Sequence, residues 1–169
     1  MAVEHLEQVF EEGLDRAYYM EQKLVKILDK MAKRATDQNI KDAFEIHKEE
    51  TMEQVARLEE VFNFMNMTPK KIPAHEIDGL ADDEKEFDKE KPTNAIKDFH
   101  SLGAAVKMEN LEIGHYEVLI LIAKKIDLHG VVSLLKDNLK EEERALKKVQ
   151  KLSKRFDFTT TIHPDASMM

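Results

Sequence analysis

The chain contains no cysteine and no tryptophan. Without thiols there can be no disulfide, cysteine nucleophile, iron–sulfur cluster or cysteine-ligated zinc, so any metal must sit on carboxylates and imidazoles. Glycine and proline are scarce, 5 and 4 in 169 residues, which argues against a β-sandwich, a collagen-like chain or a flexible linker protein. No stretch of about 18 apolar residues occurs, so no membrane span is expected. The start, Met1-Ala2-Val3-Glu4-His5, is acidic and amphipathic and does not resemble a signal peptide. Positive charge is also short: 26 Lys and Arg against 34 Asp and Glu leave a net charge of −8. Binding nucleic acid requires clustered cations to neutralise phosphates, so nucleic acid is not expected as a principal partner. The basic run from Lys147 to Arg155 ends a predicted helix, where cations complement the helix dipole. Together these absences lead us to expect a cytoplasmic protein.

What remains is 42% hydrophobic and 36% charged, laid out at helical period. A length of 169 residues suits one domain. Phe10, Leu14, Ala17, Leu24, Leu28 and Ala32 stripe a first helix over about 3–35, and Thr36-Asp37 supply a turn and an N-cap. A second helix, about 38–66, carries Phe44, Val55, Leu58 and Phe62 and cannot pass Pro69. A third, about 94–126, carries Leu102, Val106, Ile113, Ile120 and Ala123. After a break at Asp127–Gly130, a fourth runs over about 131–155 with Leu135, Leu139, Leu146 and Val149. The connection between the second and third is long, with a short acidic helix expected within 74–89. Two tight hairpins joined by a long crossover is the ferritin-like arrangement of an all-α four-helix bundle. The bundle is expected over 1–155, with 156–169 as an extended or loose tail.

Each stripe carries an acid. Glu21, Glu109 and Glu142 fall mid-face among aliphatic residues, and Glu50 lies beside Ala43, Ile46, His47 and Val61 nearer the edge of its face. A buried carboxylate needs a counter-charge, a proton or a metal, because desolvation costs several kcal/mol per ion. Glu21 stands 15 positions before Thr36 and Glu50 14 after it, so a hairpin brings them to one level. Met20-Glu21-Gln22 also resembles Met108-Glu109-Asn110, and Lys48-Glu49-Glu50 resembles Lys140-Glu141-Glu142, a faint repeat that would place one mid-helix Glu on each helix. Glu112 and His47, one turn from Glu109 and Glu50, are further candidate ligands. Carboxylates with an imidazole suit iron or manganese. Arg57 is the best-placed basic residue to neutralise these acids instead, and Tyr18 and Tyr116 are expected to face inward. His75, His100, His115, His129 and His163 are expected on loops or polar faces, in solvent.

Several segments resemble the YciE/YciF family. They are Asp15-Arg16-Ala17-Tyr18-Tyr19-Met20-Glu21-Gln22-Lys23-Leu24, His47-Lys48-Glu49-Glu50-Thr51, Gln54 to Glu59, Ile77-Asp78-Gly79-Leu80, Met108 to Ile113 and Leu139-Lys140-Glu141-Glu142. The resemblance spans about 8–153. It implies a ferritin-like bundle, usually a homodimer, associated with bacterial stress responses and metal binding. By analogy with rubrerythrin-like di-iron sites, Glu21, Glu50, Glu109 and Glu142 would be the four helix carboxylates and Glu112 the extra acid. Oxygen or peroxide would then be the small oxidant. The chain departs from that pattern at Glu53 and Ala145, where di-iron proteins carry histidine, and at Asn110, where the family often does.

Overall fold

A computed structural model describes residues 3–159. It contains five helices: α1 (Leu6–Arg34), α2 (Gln38–Phe64), α3 (His75–Lys89), α4 (Asn94–Lys125) and α5 (His129–Arg155). Four form the bundle and α3 is the acidic crossover helix. The terminal part of the expected tail, including His163, lies outside the described residues.

Local chemistry sets the ends. Asp37 caps α2 by accepting from the amides of Asn39 and Ile40. Helices α2, α3 and α4 stop where Asn66, Lys91 and Asp127 take positive φ, the left-handed conformation that closes helix ends. The turn expected to end at Gly130 is therefore made by Asp127, and α5 begins two residues earlier than its periodicity suggested.

Helix α1 pairs with α2 and α4 with α5, as expected for two hairpins. The hairpins then pack α1 against α4 and α2 against α5, both antiparallel. Asp98 of α4 ties the α1–α2 turn to the other hairpin, accepting from Thr36 N (3.0 Å), Thr36 Oγ1 (2.5 Å) and Asp37 N (2.9 Å). The crossover is strapped to α1 by buried Asp15, which accepts from Lys70 N at 2.7 Å, and by Arg16, which donates to Pro73 O at 2.7 Å. Arg34 reaches both Glu84 and Asp88 of α3. His100, expected in solvent, stacks on Phe87 with ring centroids 3.6 Å apart and lies 2.6 Å from Glu84. The crossover helix covers it, and the periodicity of α4 alone could not show that. His115 is likewise held, with Nε2 2.8 Å from Gly13 O.

The apolar core is split. One cluster gathers Met20, Leu24, Leu28, Phe44, Leu102 and Met108; the other gathers Phe10, Leu14, Leu58, Val61, Leu119 and Leu135. Between them lies a layer of buried polar side chains.

Candidate metal centre

Residue spacing explains how α2 reaches this layer. Ile40, Phe44, His47, Thr51, Gln54, Leu58 and Val61 recur at alternating steps of four and three and are all buried. Three consecutive places on that inward line are polar. The hairpin level that pairs with Glu21 is occupied by Thr51, with zero exposure. Glu50 is adjacent in sequence but rotated about 100° around the helix. Its side chain is 41% exposed, with Oε2 3.7 Å from His47 Nδ1. His47 therefore points inward from α2, and Glu50 stands at the rim.

The other expected residues are interior. Glu21, Glu112 and Glu142 have zero exposure and Glu109 1%. His47 Nε2 lies 2.9 Å from Glu109 Oε1 and 3.8 Å from Glu142 Oε2. One ligand atom from each of His47, Glu109, Glu112 and Glu142 fits within 4.8 Å of the others. Glu21 falls outside that set and accepts the Tyr116 hydroxyl. Taken as carboxylates, Glu112 and Glu142 have no hydrogen-bond donor on either oxygen, and Glu21 and Glu109 lack one on Oε2, among the described residues.

The electrostatics follow from this crowding. Burial, then the neighbouring acids, drive Glu112 and Glu142 well above the ordinary carboxylate range, although His47 draws Glu142 partly back. Burial likewise raises Glu21 to about 7, opposed by its bonds with Tyr116 and Glu112. His47 would be pulled down by burial, but Glu109 and Glu50 outweigh it and hold the imidazole well above its usual value. Burial and crowding therefore favour the protonated forms of Glu21, Glu112 and Glu142. Tyr116 is pushed well above its ordinary value by burial and by Glu21.

Three buried polar residues in this layer were not anticipated: Thr51, Gln54 and Asn138. The four–three spacing on α2 was legible and would have found Thr51 and Gln54; the apolar Val55 drew the stripe one residue aside, and Val55 is only half-buried. Tyr18, expected to face inward, packs its ring on Phe62 while its hydroxyl donates to Glu59 at 2.7 Å near the surface. Arg57, the expected counter-charge, pairs instead with Glu141, Nη1 to Oε2 at 2.6 Å. Glu53 is exposed, and Ala145 is buried beside the layer.

Among the described residues no helix is long and apolar enough to cross a membrane. Residues 5–157 match the family model described as a domain of unknown function, DUF892. Protein YciF of Escherichia coli K12 is 29% identical over 144 residues, covering 85% of this chain and 87% of YciF. The crystal structure of that E. coli stress protein superposes with a TM-score of 0.85 at 28% identity, over 89% of this chain and 96% of the other. YcfI from Rhodopseudomonas palustris, for which a structural role has been suggested, matches with the same TM-score of 0.85 at 31% identity, over 88% and 94% of the two chains.

Proposed function

The chain belongs to the DUF892 family, and we propose that the polar layer of this member is a carboxylate-rich centre for iron or manganese, in a stress-related protein. The observation that carries the reading is the convergence of His47, Glu109, Glu112 and Glu142, all buried, with oxygens that have no hydrogen-bond partner among the described residues. Native interiors leave few buried polar atoms without partners, and here they are concentrated at one point. The donor set is oxygen with one imidazole and no thiolate, which suits such ions better than soft ones.

A bound iron or manganese ion would supply one-electron chemistry toward oxygen or peroxide. The chain's own residues do the rest. Glu112 and Glu142 would surrender their protons to become donors, as would His47 at Nε2. Glu50, half-exposed with Oε2 3.7 Å from His47 Nδ1, would face the proton the ring keeps there and so help to aim Nε2 at the ion. Glu21 flanks the cluster as a further carboxylate, fixed by Tyr116. The single imidazole, with Glu53 and Ala145 at the positions of further histidines, argues for one tightly held ion and a weaker second site.

An exposed strip of Leu6, Val9, Val118 and Leu121 along the α1–α4 seam supports assembly as a homodimer. The lack of cysteine accords with a cytoplasmic location. Elemental analysis after anaerobic ferrous loading tests the centre. One to two irons per chain, lost in Glu109→Ala and His47→Ala, is the expected result. Well under one iron per chain would overturn it and favour a non-enzymatic role in interaction.

A further inference from the structure

One hydrogen-bonded line runs from the surface into the polar layer. Arg57 of α2 is clamped by Glu141 of α5, with Nη1 and Nη2 each donating to a carboxylate oxygen at 2.6 Å. The same Nη1 donates to Asn138 Oδ1 at 2.6 Å. Asn138 Nδ2 donates to the Tyr116 hydroxyl at 2.8 Å, and Tyr116 donates to Glu21 Oε1. Asn138, Tyr116 and Glu21 all have zero exposure. The outer end, at Arg57 and Glu141, lines a surface cleft of about 480 Å³ with Asp137, Lys140, Glu143 and Arg144.

From Arg57 Nη1 through Asn138 and Tyr116 to Glu21, each donor points inward. An amide and a guanidinium do not pass protons on at neutral pH, so the line orients groups rather than conducting. The decisive group is the Asn138 amide, whose two ends differ: one only accepts and the other only donates. With Arg57 in place, Oδ1 must face the guanidinium, because turning the amide would set two donors against each other. Nδ2 then faces Tyr116 and occupies its oxygen as an acceptor, which leaves the phenolic proton for Glu21. Nδ2 also reaches Gln54 O at the longer distance of 3.4 Å, which favours the same orientation; without Arg57 the amide loses its shorter hold at Oδ1 and only this long bond resists its turning. Tyr116 could then donate to Asn138 Oδ1 and release Glu21.

We infer that Arg57 is a positioning residue for the buried carboxylate layer, acting through the orientation of Asn138 and Tyr116 to hold Glu21 with Oε2 turned away from the tyrosine. The link from Glu21 to a metal rests on the function proposed above; the line itself does not. Proton NMR of the metal-free protein therefore tests it first. A buried phenolic proton bonded to a carboxylate should give a downfield, slowly exchanging signal that Tyr116→Phe removes. The signal should persist in Arg57→Lys, which keeps a cationic donor to Asn138. It should shift or vanish in Arg57→Leu and in Asn138→Asp, the second of which leaves the guanidinium in place.

An unmoved signal in either folded variant, or no such signal in the wild-type protein, overturns the inference. Manganese titration by calorimetry then reads the last link. Arg57→Leu should weaken binding by about tenfold, the scale of lost outer-shell support, and should have almost no effect in a Tyr116→Phe background. Equal losses in both backgrounds would refute action through the tyrosine. If the wild-type protein binds no manganese, the proposed metal centre fails while the NMR result still decides the positioning role.

Discussion

Replacing Glu21 with glutamine should change how the metal-free protein responds to pH, with little change in shape. Glu21 is fully buried, and burial raises it from 4.5 to about 7. The folded chain thus holds a proton that the unfolded chain has lost above pH 4.5. By linkage, stability falls with rising pH wherever the folded state binds more protons. The contribution is fully present below pH 4.5 and is lost as pH climbs through about 7. At 1.36 kcal/mol per pKa unit, that loss is about 3 kcal/mol. Glu112, Glu142 and His47 act in the same direction, so the wild-type protein in chelator should lose melting temperature steeply from pH 5 to 8. Glu21→Gln removes one contribution and leaves the others. The difference between variant and wild type should therefore move by about 3 kcal/mol in the variant's favour across this range, roughly 10 °C in melting temperature for a chain of this length. Calorimetric melts at half-unit pH steps would measure it. A constant offset between the two profiles would refute the reasoning, because it would mean that Glu21 titrates normally despite its burial.

At pH 7, manganese or anaerobic ferrous ion at 100 times its dissociation constant should stabilise the wild-type protein by about 2.7 kcal/mol, and Glu112→Ala should abolish the rise. Metal addition in weakly buffered solution should release protons, since burial favours the protonated forms of Glu112 and Glu142 and the neighbouring acids favour that of His47; a silent pH electrode during binding would count against those upward shifts. Asp98→Ala strands three donors of the α1–α2 turn and should cost about 2–4 kcal/mol in urea titration. Gly103→Ala sits mid-helix with open space where its Cβ would go, and should stabilise the protein by about 0.5–1 kcal/mol.

The helices, their lengths and the two-hairpin topology were legible in the chain because their causes are local. The 3.6-residue period, Asp37 as a cap, Pro69 as a stop and the long acidic crossover each act within a few residues. That four acids interrupt apolar stripes was equally visible, since a charged residue on a buried face is anomalous whatever it meets. Which of them turn fully inward was decided by packing. Glu50 and His47 are three residues apart, and the stripe through Ile40, Phe44 and Leu58 brings His47 inside and leaves Glu50 at the rim. Thr51, Gln54 and Asn138 gave no charge signal; the spacing on α2 marks the first two as inward, but the polar company they keep follows from the facing helices. Arg57 was recognised as a cation near the acids, but its partners Glu141 and Asn138 lie more than 80 positions away. Sequence period sets a helix's face to within one residue's rotation of 100°. The identity of what stands opposite, and hence whether a buried group meets a charge, a proton or a hydroxyl, exists only once the two hairpins have closed on each other.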